Sequence, residues 1–104
     1  MNPHPAKALD RERERQQYIK ELVAEHGPQW SEPYKPGSFG CHELLDRTSM
    51  AGDIVEQYVL SHPACAQNQE WFALADQAVT ALRELYQRIG EVHLEDQDTT
   101  AGDC

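Results

Sequence analysis

The stretch NQEWFALADQAVTALRELYQRIG, residues 68–90, decides the fold class. At 100° per residue, Trp71, Phe72, Ala75, Ala78, Val79, Leu82, Leu85, Tyr86 and Ile89 form one wide apolar stripe. Asp76, Gln77, Thr80, Arg83, Glu84, Gln87 and Arg88 take the other side. Asn68 is a good N-cap and Gly90 a good C-terminal stop, so the pattern predicts a helix over about 69–89.

Working back from it, a second helix is predicted over about 41–61, stopped by His62-Pro63. Its apolar face is Leu44, Leu45, Thr48, Ala51, Gly52, Val55, Tyr58 and Val59, with Gly40 as the expected N-cap. Only about seven residues join the two helices, which implies an antiparallel hairpin. A further helix is predicted over about 10–26, capped by Asp10 and ended by Gly27-Pro28. Its first half alternates Glu and Arg at helical pairing distances. Tyr18, Ile19, Leu22 and Val23 give only its second half a face to pack.

The fold expected is therefore all-α: the hairpin of about 41–61 and 69–89, with the N-terminal helix and a long Pro/aromatic loop packed on it. Such a fold forms a three-helix bundle or half of a dimeric bundle. Residues 1–9 read as a flexible N-terminus, 10–94 as a single helical domain and 95–104 as an acidic, disordered tail. A core drawn from so few residues has a thin stability margin, and dimerisation would widen it.

Charge and cysteine usage narrow the function classes. The net charge is −9, from 18 acidic against 9 basic residues. The densest basic run, Arg11-Glu12-Arg13-Glu14-Arg15, is cancelled by its own glutamates, which argues against direct nucleic-acid binding. Three cysteines, an odd number, and no apolar N-terminal run or membrane-length segment point to a cytoplasmic protein with reduced thiols and no membrane. Phosphate loops, dinucleotide fingerprints and serine-nucleophile elbows are missing, so catalysis is not expected and no cofactor is implied.

Candidate site residues gather between the first two helices. The connector from Gly27 to Gly40 is long for a compact domain and carries Pro28, Pro33 and Pro36 with Trp30, Tyr34 and Phe39. Those aromatics either complete the core across the hairpin or line an interface. Beyond the loop, Cys41, His42, Glu43, Asp46 and Arg47 occupy the first turns of the second helix. Cys41 reads as a small, partly buried thiol at a tight helix start rather than as a nucleophile. His42, Asp46, Ser49 and Asp53 share a stripe opposite the apolar face, where a solvated surface is the ordinary outcome and a divalent metal the alternative. A zinc site from Cys41-His42 and His62-x-x-Cys65 fails on distance within one chain, since the intact intervening helix is about 30 Å long; the pairs would meet only across an antiparallel dimer or with that helix broken at Gly52. His62 and His93 are expected near helix ends, satisfying terminal carbonyls.

The function implied is a small acidic non-catalytic interaction module, a subunit, adaptor or inhibitor, with a protein partner or a second copy of itself. Two alternatives follow from the same residues: a metal- or small-ligand-binding helical protein using the 41–47 helix start, and an acidic nucleic-acid mimic acting on a basic protein.

Overall fold

The computed structural model describes residues 5–102, with side chains placed for 8–95. It is all-α: α1 Pro5–His26, α2 Phe39–Val55, α3 Pro63–Ala66 and α4 Gln69–Gly102, with a 3-10 turn at Glu32–Tyr34. The chain divides into two units, residues 1–32 and 33–104.

The first unit is α1 and the turn after it. The helix begins at Pro5 rather than at Asp10, so Asp10 is no cap; it lies inside the helix, 3.8 Å from Arg13. The expected flexible segment 1–9 is thus helical from Pro5 to Leu9, and residues 1–4 lie outside the described part. Arg11–Glu14 and Arg15–Glu12 pair at 2.7 Å along the exposed first half. The helix ends where predicted: Gly27 turns at φ +90° and donates its N–H to the Val23 carbonyl.

The second unit is built on the hairpin. His42 meets His93, Leu45 meets Gly90 and Asp53 meets Arg83, so α2 and α4 run antiparallel as the short connection implies. Three boundaries differ from the sequence reading. Ser38, not Gly40, caps α2, because its Oγ accepts the Cys41 N–H at 3.1 Å and a hydroxyl outcompetes a residue with no acceptor. The helix then widens into a π-helical turn, Glu56–Leu60, closed by the Ser61 N–H to the Glu56 carbonyl at 3.0 Å. His62 ends that turn and caps the short α3, its Nδ1 accepting the Ala64 N–H at 3.0 Å with Pro63 as first helical residue. It satisfies an N–H, not the terminal carbonyl expected of it.

The third difference is the largest. α4 does not stop at Gly90 but runs on to Gly102, through the segment expected to be a tail. Gly90 is buried, and a Cβ there would lie 3.7 Å from Leu45 Cδ1. The glycine therefore lies on the face of α4 against α2, with room for a methyl group, and does not terminate the helix.

The hairpin core is narrow. The buried apolar residues described are Cys41, Leu45, Cys65, Ala75 and Val79, joined by the polar Thr48 and His93. Thr48 hides its hydroxyl by returning a hydrogen bond to the Leu44 carbonyl at 2.8 Å. Only the inner half of each predicted stripe faces this core. Leu44, Tyr58, Val59, Trp71, Phe72 and Leu85 lie on the outer half and are exposed.

Candidate functional site

The N-terminal corner of α2 is held by the loop that enters it. Gly37 takes φ +87°, a left-handed conformation that side chains disfavour. The Ser38 N–H bonds the Lys35 carbonyl at 3.0 Å, closing the turn, and Ser38 then caps the helix. Tyr34 and Phe39 do not complete the core: Phe39 is 83% exposed and Tyr34 is exposed beside Gly40. The physical reason is that the space under the corner is filled by α4, through His93. Trp30, in the first unit, is half-buried.

His93 is the residue the sequence reading misplaced. It is wholly inaccessible to solvent, and it lies inside α4 instead of at a helix end. Its Nδ1 accepts the Gly37 N–H at 2.9 Å, and its Nε2 lies 3.3 Å from Nδ1 of His42. The two rings are tilted at 41° with centroids 5.4 Å apart. Beyond them, His42 Nε2 lies 3.5 Å from Asp46 Oδ2. A line of contacts thus runs from the loop backbone through a buried imidazole and a half-exposed one to a surface carboxylate.

The polarity of that line follows from its first member. A backbone N–H only donates, so His93 Nδ1 carries a lone pair, and neutral His93 bears its proton on Nε2. That proton points at His42 Nδ1, which must accept, leaving the His42 proton on Nε2 towards Asp46. Each polar atom is satisfied once, and no buried side-chain N or O among the described residues lacks a partner.

The same polarity decides against a metal on this pair. A metal on His93 Nε2 would require the ring proton on Nδ1, where it would oppose the Gly37 N–H. Among the described residues no group of three His, Cys, Asp or Glu is placed to hold a metal ion. The other candidates divide without converging. Glu43 and Arg47 form an exposed pair at 3.5 Å, of the kind worth little. Cys41 is a free, buried thiol on the core face, turned about 100° from His42. Cys65 is likewise free and buried, at the far end of the hairpin. Among the described residues neither Cys41 nor Cys65 has a hydrogen bond from its thiol to a base.

A second feature lies at that far end. Tyr58, Val59, His62, Trp71 and Leu74 line a shallow, mostly apolar groove of about 530 Å³ between the π-turn and α4. By helical register this groove opens onto a longer face, with Leu44, Ala51 and Val55 on α2 and Ala78, Leu85, Ile89 and Val92 on α4. The opposite side of the hairpin is mixed, with Phe72, Tyr86 and Leu94 exposed among its polar residues. There Arg83 bridges Asp53 at 2.8 Å and Glu56 at 3.1 Å, and the Asp53 hydrogen bond holds the guanidinium above its ordinary range.

Two of these features leave a trace in the sequence. His93 follows Ala75, Val79, Tyr86 and Ile89 at helical spacing, provided the helix is carried through Gly90. The outer apolar flank is the part of each stripe too wide for one neighbour. Nothing in the sequence marks Gly37 as the partner of His93. No family model, curated protein or solved structure matches the chain. The functional reading therefore rests on the geometry of the molecule itself.

Proposed function

We propose that this protein is a non-catalytic interaction module, whose two-helix apolar face is covered by a second copy of the chain or by a helical segment of another protein. One observation carries the reading: the apolar face along the hairpin is longer and richer than the core beneath it. Tyr58 is 70% exposed and Trp71 53%, with Leu44, Leu74, Leu85 and Val92 also exposed on that side. Among the described residues, Leu45 is the only large aliphatic side chain that is buried rather than half-buried. Aromatic residues on a rimmed apolar patch are the usual anchors of an interface, and a patch of this length is uncommon on a lone chain.

The charge distribution supports the same reading. The acids pair on the Arg83 side and along the flanks, leaving the apolar face uninterrupted between Leu44 and Tyr58 on one helix and between Trp71 and Val92 on the other. No helix among the described residues is long and apolar enough to cross a membrane. The two buried free thiols favour the reducing cytoplasm as the place where it acts.

The test is a charge placed on the face. Leu74→Glu with Leu85→Glu should leave helicity intact, because both positions are solvent-exposed, and should abolish association measured by light scattering and by recovery of partners from native lysate. Association that survives the double substitution would place the interface elsewhere.

A further inference from the structure

The His42–His93 pair has a property that an interaction module does not require. Its two inner hydrogen bonds, Gly37 N–H to His93 and His93 to His42, coexist only when both rings are neutral. A further ring proton has two places to go. On His42 Nδ1 it opposes the proton of His93 Nε2; on His93 Nδ1 it opposes the Gly37 N–H. Either way one bond to a fully buried imidazole breaks, and its polar atom is left without a partner.

We propose that His42 and His93 form a proton-sensitive latch: the neutral pair pins the loop preceding α2 to α4, a proton on His93 Nδ1 frees the Gly37 N–H outright, and a proton on His42 Nδ1 strips the buried His93 Nε2 of its acceptor and so weakens the same anchor. The groups around the latch do not offset this. On α2, Asp46 faces only His42 Nε2, the outer nitrogen, and provides no acceptor to the inner bonds; Cys41 is a buried neighbour in sequence. Along the loop the nearest charged residue is Lys35, and on α4 Glu91 and Glu95 flank His93 in sequence. The Gly37 donor is backbone and does not titrate.

The released segment is Pro33 to Ser38, which sets how the chain enters α2. Histidine ordinarily changes charge between about pH 5 and 8, which sets the range over which the latch is tested. The neutral pair makes both inner bonds and the protonated pair cannot, so loop closure weakens as protons bind to the rings.

Hydrogen exchange at the Gly37 amide tests this in the intact chain. Corrected for the intrinsic pH dependence of exchange, Gly37 protection should fall about tenfold or more from pH ~8 to pH ~5, the equivalent of one hydrogen bond. In His93→Asn, whose Oδ1 replaces Nδ1 as acceptor without titrating, protection should stay level. Level protection in the unsubstituted chain, or an equal fall in both, overturns the proposal. Ring nitrogen-15 shifts at neutral pH need no variant: both histidines should carry their proton on Nε2, and a proton on His93 Nδ1 would overturn it.

Discussion

At Gly40 an added Cβ would meet the Pro33 carbonyl oxygen and lie 2.5 Å from Tyr34 Cδ1, with the Tyr34 Cα 3.2 Å away. Two of those neighbours are backbone, so they cannot swing aside. Gly40→Ala should therefore destabilise the second unit by about 1–3 kcal/mol, read from urea unfolding. Gly52 looks similar but differs in kind, since its nearest neighbour is the Arg83 guanidinium, 2.9 Å from the added atom. That flexible tip can move, and its exposed pairs with Asp53 and Glu56 contribute little, so Gly52→Ala should be near neutral. On α1, the Arg15 hydrogen bond, with help from Gln16, holds the Glu12 carboxyl down to about 2. A depressed carboxylate supports the fold above its ordinary 4.5, and that support is lost as pH falls from 4.5 towards 2. Because Glu12 is fully exposed, the effect is small and salt-screened. A Glu12 carboxyl titration followed by carbon-13 NMR should show the low midpoint, moving back up in Arg15→Gln.

Among the elements, α4 shows why helix ends are harder to read than helices. Its stripe from Trp71 to Ile89 was legible because apolar spacing is a property of the residues themselves. Its end was not, because glycine stops a helix only where the backbone turns left-handed, and Gly90 stays helical under Leu45. Since a Cβ at Gly90 would make only an ordinary contact, Gly90→Ala should stabilise the protein by about 0.5–1 kcal/mol in thermal or urea unfolding. Loss of stability would mean that α4 passes closer to α2 than 3.7 Å allows. The reverse holds for Leu45, the one large aliphatic side chain buried rather than half-buried among the described residues. Leu45→Ala should cost about 2–5 kcal/mol, a large share of what a small domain possesses. The candidate corner was half legible on the same grounds. His42 and Asp46 meet because they are four apart on one helix. His93 and Gly37 join them from 51 and 56 residues away in sequence, a juxtaposition that only the hairpin and its entry loop create.

At the scale of the molecule, the second unit places its larger side chains on a face outside its own core. Trp71, Tyr58, Leu44, Leu74 and Leu85 lie along that face, while the interior is made mostly of Ala, Val, Cys and a histidine. A hairpin with this inverted distribution is stabilised by whatever covers it, and its apparent stability should rise with protein or partner concentration. On the other flank Arg83 bridges Asp53 and Glu56 in exposed pairs. The most direct measurement is the association state of the full chain with and without Leu74→Glu and Leu85→Glu, by light scattering over a concentration series and by recovery of bound protein from native lysate. The expected result is a dimer or a specific partner complex for the unsubstituted chain, and a helical, unassociated chain for the double variant. A strictly monomeric chain that recovers nothing beyond what the double variant recovers would contradict the account.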